Sequence, residues 1–422
     1  MGNVGAGVYK HLTQNRALLR ERLGFELVVR KAVVRNAARA RDIDVPAAML
    51  TTRWQDLLED DSIQIVVELM GQKEESLQLM LGAIERRKIV VTGNKALLAE
   101  HGKEIFEAAT RHQVPVFFEA AVAGGIPIIK SIREAFVGNR IQSIHGIING
   151  TSNYILTRMT EAGLGFAEAL AEAQAAGYAE ADPALDVNGG DAAHKALILA
   201  SLAYGFWVPG DKAFVEGIEN LTAHDIRFAK QLGYRIKLLG IIKVGQDDQI
   251  EVRVHPTLVP EKHVLASVNG VFNALAVRGD IVGETLFYGR GAGQDATSSA
   301  VISDLVEAAD ALLSPRRNLG FMPHGLYGTC KPIDEICTEY YLRLTVEDRP
   351  GVIAQIAGVL GELHIGISSI LQPESPDEGA NVCLVLMIHR ATNGQMKTAL
   401  ERIATLSCVR PGPRMIRVEH FS

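Results

Sequence analysis

Four β-branched runs, the later ones separated by amphipathic helices, constrain this chain before anything else does. FELVVRKAVVR, IQIVVELMG, KIVVTGNK and VPVFFEAAV each read as a strand, and EESLQLMLGAIERR and ALLAEHGKEIFEAATRH fill the intervals between the last three. Strands this apolar must be covered on both faces, which a parallel sheet with helices above and below provides. The spacing therefore predicts an α/β unit, a Rossmann-type doubly wound parallel sheet, over residues 1–128.

A chain of 422 residues needs more than one core. From 129 to 290 the character changes. Helical stretches (FAEALAEAQAAG, HDIRFAKQLG) mix with alternating strands such as IEVRVHPTLV, which predicts an α+β domain. Residues 291–313 read as one more glycine-rich turn and a helix, expected to pack back on the first domain. Residues 314–338 hold three prolines without a clear period and read as a linker. The order over 339–422 is strand, helix, strand, strand, helix, strand, which predicts a βαββαβ, ferredoxin-like module.

The net charge of −6, with both signs interspersed, argues against nucleic acid or an anionic membrane as the main partner. No apolar run reaches the roughly 18 residues of a membrane span. The four cysteines, Cys330, Cys337, Cys383 and Cys408, form no CxxC pair, and the expectation is a reduced, cytoplasmic protein.

Two stretches carry chemistry. At the start, Gly2, Asn3, Val4 and Gly5 read as the tail of a G-x-G-x-x-G turn entering a helix, where main-chain N–H groups approach a pyrophosphate; a flexible N-terminus is the other reading. The first glycine and the strand before it would precede Met1. The expectation is that the gene reads in frame upstream through that strand, and that the chain as written binds NAD(P) poorly. Arg30, Lys31 and Arg35 cluster on the second strand, either to admit the 2′-phosphate of NADP or as a solvated strand end.

The second stretch is GYAEADPALDVNGGDAAHK, Gly177 to Lys195, which runs straight into the apolar KALILASLAY. Asp191 and Lys195 are spaced i, i+4, and such a pair on a helix surface is worth only a few tenths of a kcal/mol. Here the helix that follows is almost wholly apolar, so the pair is expected close to buried surface, where charges are costly unless paired. Carboxylates around a partly buried lysine suit a site that holds an amino group and donates a proton.

The run A-x-x-x-G-Y-x-E-x-D-P-x-x-D-V-N-G-x-D-x-x-x-K from Ala173 to Lys195 resembles the signature of the homoserine dehydrogenases. TGNKALLA, FEAAVAGGIPII, INGTSNYIL, DIRFAKQLGYRIKLLG and GRGAGQDATSSAVISDL resemble further blocks of that family, and DRPGVIAQIAGVL resembles the strand–helix turn of an ACT domain. The resemblance implies reversible NAD(P)H-dependent reduction of L-aspartate 4-semialdehyde to L-homoserine, in threonine, methionine and isoleucine biosynthesis. It implies Lys195 and Lys95 flanking the reacting carbon, with Lys195 the proton donor and Asp191 orienting it. Glu180 would bind the substrate ammonium, Asp186 would support that network, and Tyr178, Gly150 and Thr151 would line the pocket. Gly2, Asn3, Val4, Gly5, Arg35, Lys95 and Gly293 would contact the cofactor, NADP or NAD. Main-chain carbonyls of Glu119, Val122, Gly124 and Ile126 would hold a monovalent cation, sodium. Asp348, Gly351 and Val352 would bind threonine as effector, and the assembly would be a homodimer or homotetramer. Taken alone, Lys95 also reads as a helix-start surface lysine and Glu119 as a strand-end acid. The competing expectation is an amino-acid sensor of the ACT type whose catalysis is impaired by the missing first strand; the complete Glu180–Lys195 run argues against it.

Overall fold

The computed structural model describes residues 1–422 except Ala40, Asp42, Gln246, 315–319, 373–380 and Ser422. Part of the linker expected over 314–338 therefore lies outside the described residues.

The N-terminal region forms in two pieces. β1 (Ala32–Val33) pairs in parallel with β2 (Leu50–Thr51). β3 (Ile65–Glu68), β4 (Ile89–Thr92) and β5 (Val116–Phe117) make a separate parallel sheet in that order, with helices Glu74–Glu85 and Lys95–His112 as crossovers. The run FELVVRKAVVR, expected as one long strand, contributes only two residues to a ladder. A strand persists only where a neighbour takes up its N–H and C=O groups, and among the described residues only β2 does so here. Between the two sheets lies a cavity of about 1700 Å³, walled in part by Val29, Val33, Val66 and Leu305. Helix Gln294–Leu313 packs against helix Asn3–Gln14, and Val8, Leu12, Val91, Phe117, Val301 and Leu305 share one apolar cluster. The two helices approach closely at Gly7, where an added Cβ would sit 2.4 Å from Ser298 Oγ.

The middle of the chain builds an antiparallel sheet from β6 (Ile141–Ile147), β8 (Tyr234–Val244), β9 (Ile250–Pro260), β10 (Phe272–Gly279) and β11 (Gly283–Arg290), in the order 11-10-6-8-9; the short β7 (Phe214–Val215) lies parallel to β9. Helices Gly150–Ala162, Gly190–Tyr204 and Ala223–Gln231 pack against β8, which gives that strand its near-continuous burial.

β12 (Cys337–Glu347), β13 (Ile367–Leu371), β14 (Asn381–Thr392) and β15 (Arg414–Val418) form the C-terminal module in the order 15-12-14-13, covered by helices Val352–Glu362 and Asn393–Ala404. Read as a sequence, this module hangs on a linker. In the structure β15 also pairs with β9, placing Arg417 opposite Thr257 and Val418 opposite Leu258, so the two sheets are continuous. Ionic contacts reinforce the seam. Asp225, fully buried, accepts from Arg343 Nε at 2.6 Å and from Tyr341 Oη at 3.3 Å while its other oxygen caps helix Ala223–Gln231 through Thr222. Glu419, just past β15, faces Arg253 Nη2 at 3.1 Å, His145 Nε2 at 3.3 Å and the Lys243 ammonium, one partner each from β9, β6 and β8. The described part of the connecting segment is also bound down, with Phe321 against Phe106 and Trp207. No helix among the described residues is long and apolar enough to cross a membrane.

Breaking a buried pair strands a charge, which typically costs about 3–5 kcal/mol. Asp225→Ala is expected to lose about that much stability in urea unfolding, whereas the paired change Asp225→Asn/Arg343→Met should recover a measurable part of it.

Candidate active site

Three segments meet around one carboxylate. Helix Gly190–Tyr204 starts after Gly189, whose φ of 86° ends the acid loop in a conformation that suits glycine, so Asp191 stands in the first helical turn and Lys195 one turn on. Helix Lys95–His112 starts with Lys95 itself, after Asn94, whose side chain caps the N–H of Leu97. Strand β6 ends at Ile147 and leads into Ile148 and Asn149, the cap of helix Gly150–Ala162.

Asp191 is 4% exposed. Its Oδ2 accepts from Lys195 Nζ at 2.6 Å and from Asn149 Nδ2 at 2.8 Å, and its Oδ1 lies 2.9 Å from Lys95 Nζ. Lys195, also buried, donates a second bond to the Ile148 carbonyl at 2.8 Å. A surface pairing of Asp191 with Lys195 is thereby excluded. Burial by itself pushes the Asp191 carboxyl up, but the ammonium groups of Lys195 and Lys95 outweigh it and hold the group well below the ordinary carboxylate range. For Lys95 burial works to lower the pKa, and Asp191 first, then Asp186 and Glu180, hold it above its ordinary value. Three of the four acids of the loop therefore act on the same lysine. Asp191 is the group on which both lysines converge in a largely buried place.

The acid loop is clipped to the first turn of helix Gly150–Ala162. Thr151 Oγ1 donates to the Tyr178 carbonyl at 2.8 Å, Ser152 Oγ to the Asp186 carbonyl at 2.8 Å, and Asn149 Nδ2 to the Asp186 carboxylate at 2.7 Å. Gly150 fits where a Cβ would meet the Val271 carbonyl oxygen at 2.8 Å. Tyr178 rests on Tyr154, ring centroids 4.9 Å apart, with its outer side exposed, and Glu180 is exposed at the rim. A buried and a half-buried lysine near an exposed carboxylate can receive a molecule with a carbonyl at one end and an ammonium at the other.

The turn from Glu119 to Ile126 packs against the start of helix Gln294–Leu313, with the Gly125 N–H on the Arg290 carbonyl at 3.0 Å. The Glu119 carboxylate is taken by the N–H groups of Ile129 and Lys130, and burial still pushes it up to about 7. The Glu119 carbonyl accepts from Val122 N and that of Ile126 from Ile128 N. Gly293, with φ 114°, precedes Gln294, whose side chain donates to Asn3 at 2.8 Å; both glycine-led helix starts thus lie together. Gly2, Asn3, Gly5 and Arg35 border the cavity between the two N-terminal sheets, while Val4 packs on the apolar cluster beneath. In the C-terminal module Gly351, with φ 87°, stands before helix Val352–Glu362, Val352 is buried, and Asp348 accepts from Gln372 at 3.4 Å.

Sequence reasoning left Asn149, Ser152 and the Ile148 carbonyl without roles. Asparagine ahead of a helix signals a cap; nothing local signals that its two amide hydrogens meet acids far along the chain. Gly7 and Gln294 were missed for the same reason, their partners being distant in sequence.

Comparison with known proteins gives a consistent picture. Residues 1–119 match a family model described as homoserine dehydrogenase, NAD binding domain, residues 127–306 the homoserine dehydrogenase model, and residues 340–407 the ACT domain. The homoserine dehydrogenase of Pseudomonas aeruginosa is 44% identical over 100% of this chain and 98% of its own length, and that of Neisseria gonorrhoeae 44% identical over 99% and 97%. The crystal structure of a homoserine dehydrogenase from Thiobacillus denitrificans superposes with a TM-score of 0.92 at 43% identity, covering 99% of this chain and 96% of that one. A hyperthermophilic archaeal homoserine dehydrogenase in complex with NADPH superposes with a TM-score of 0.62 at 27% identity, covering 75% and 96%.

A carboxyl held below its ordinary value of about 3.9 contributes stability that is fully present above that value and is lost as the pH falls toward its folded pKa. The stability margin of the native chain over Asp191→Asn should thus be flat near neutrality and shrink below about pH 4. Urea midpoints measured from pH 7 to pH 3 test this; a margin that grows on acidification would contradict it.

Proposed function

We propose a division of labour for this chain, which belongs to the homoserine dehydrogenase family and is an oxidoreductase of that activity with an NAD(P)-binding domain. The reaction is reduction of L-aspartate 4-semialdehyde to L-homoserine, reversible, in a biosynthetic route to amino acids. The observation that carries the residue roles is the single buried carboxylate of Asp191 shared by Lys195 and Lys95.

Bound NAD(P)H supplies the hydride. Lys195 donates its proton to the aldehyde oxygen as that oxygen takes the electron pair of the breaking π bond, and is left as a neutral amine until solvent reprotonates it. Lys95 adds positive charge on the flank of the same carbon. Asp191 holds both ammonium groups in place and favours the charged form of Lys95. Glu180 faces the substrate ammonium, Asp186 supports that end, and Tyr178, Gly150 and Thr151 shape the pocket. An amino-acid sensor without catalysis would have no use for this cluster.

Cofactor contacts fall to Gly2, Asn3, Val4, Gly5, Arg35, Lys95 and Gly293. Arg35 beside the cavity favours NADP, the form bound by the archaeal relative. Carbonyls of Glu119, Val122, Gly124 and Ile126 offer neutral, hard oxygen donors in one tight turn, which fits sodium better than a soft metal. Such an ion would brace the turn against helix Gln294–Leu313. We place domain limits at 1–128 with 291–313, 129–290, 314–338 and 339–422; the limit after 128 falls inside helix Ile128–Lys130 and the limit after 338 falls inside β12. Outer strands β11 and β13 support assembly as a homodimer or homotetramer, and four free thiols support a reduced, cytoplasmic setting. The ACT domain supports binding of a small effector, and the Gly351 turn before a helix start, with Asp348 and Val352, suits threonine acting to lower activity.

Lys195→Ala should lose nearly all turnover with the thermal midpoint preserved, because alanine suits the helix and Asp191 keeps Lys95 as a partner. Glu180→Gln should raise the KM for homoserine far more than it lowers kcat. Wild-type turnover in Lys195→Ala would defeat the proposed proton donor. Titration calorimetry on the full chain should detect threonine binding that Gly351→Val abolishes, with a matching loss of inhibition; heat-silent titration of the folded native chain would leave the ACT domain a structural role.

A further inference from the structure

We propose that Asn149 is a positioning residue for the reaction, its side-chain amide fixing the Asp191 carboxylate and tying the acid loop to the same point. The inference rests on the roles given above to Lys195 and Asp191.

Asn149 is buried, at the end of β6. Every group on its side chain is used. One amide hydrogen goes to Asp191 Oδ2 at 2.8 Å, the other to Asp186 Oδ1 at 2.7 Å, and the amide oxygen accepts from Ser152 N at 2.8 Å. The orientation is single-valued, since the flipped amide would aim its oxygen at two carboxylates and its NH₂ at an N–H donor. Two acids are thereby drawn to one neutral donor that offers each a hydrogen bond and neither a counter-charge. Asp191 Oδ2 then takes only Asn149 and Lys195, and Oδ1 is left to face Lys95.

The neighbouring residue completes the device. Ile148 offers its main-chain carbonyl to Lys195 at 2.8 Å, so two consecutive residues hold both members of the Lys195–Asp191 pair. The strand that ends immediately before them, β6, is laddered on both sides, to β8 and to β10. The lysine that gives the proton is therefore referenced to the rigid middle of the sheet and not to the acid loop alone.

Two substitutions separate this role from simple packing. Asn149→Asp preserves volume and cap acceptor but sets a third carboxylate against Asp186 and Asp191. At alkaline pH kcat should fall on the order of 10- to 100-fold, the range seen when outer partners that orient metal-site groups are removed. Activity should partly return as the pH is lowered and a shared proton restores one donor, adding an ionisation to the kcat profile that the native enzyme lacks. Asn149→Ser retains the cap oxygen and should lower kcat comparably with no new ionisation, the KM for homoserine changing less. Circular dichroism establishes that each variant is folded. If folded Asn149→Asp and Asn149→Ser keep the native kcat and pH profile while Lys195→Ala is inactive, the inference about Asn149 fails and the functional reading stands. A loss in Asn149→Asp that is the same at every pH also overturns it. An active Lys195→Ala defeats the underlying reading whatever Asn149 does.

Discussion

A buried carboxylate shared by two ammonium groups is the constraint from which the rest of this molecule follows. Two ammonium groups held on one carboxylate repel each other, and without Asp191 nothing offsets that repulsion or their loss of solvent. To bring them together, the chain must deliver an acid from one domain, a lysine from the helix of another, and hydrogen-bond donors from a strand end to the same few ångströms. Helix Gly190–Tyr204 can carry its charges into the core only because their partners are already there. The packing of that helix against β8 and against helix Lys95–His112 is the scaffold that makes this meeting reproducible.

Much of this was legible before any coordinates. The strand–helix alternation gave the parallel sheet over β3 to β5, because a strand covered on both faces has a distinctive composition. The acid loop announced itself through Asp191 and Lys195, whose spacing sets them on one face of a helix, and through the apolar run behind them. The βαββαβ order of the last domain was readable from periodicity alone. What stayed hidden depends on chain segments far apart in sequence. Lys95 looks like an ordinary helix start until Asp191 is set beside it. Asn149 looks like a cap. FELVVRKAVVR has the composition of a strand, but composition does not supply a neighbour, and only Ala32 and Val33 find one.

The C-terminal domain illustrates the same limit on a larger scale. Its irregular, proline-containing approach reads as a tether, and a tether implies independence. Instead β15 is laddered to β9, and Asp225 binds Arg343 without exposure to solvent. Helix Ala223–Gln231, which Asp225 caps, packs against helix Gly150–Ala162, whose first turn holds the acid loop. A continuous run of packed elements thus joins the ACT domain to the acid loop, with no hinge required between them.

The placement of β15 also bears on how the molecule is made. The strand lies between β9 and β12, yet it spans Arg414–Val418, and Glu419, which neutralises cations on β8 and β9, comes later still. On a ribosome, which releases the chain from its N-terminus, β9 emerges long before its neighbour exists. Until that stretch is out, one edge of β9 is unpaired at Thr257 and Leu258, beyond the two residues that β7 covers, and Arg253 and Lys243 lack the carboxylate of Glu419. Closure of the seam between the two sheets therefore depends on a strand that is made after β9 and β12 alike.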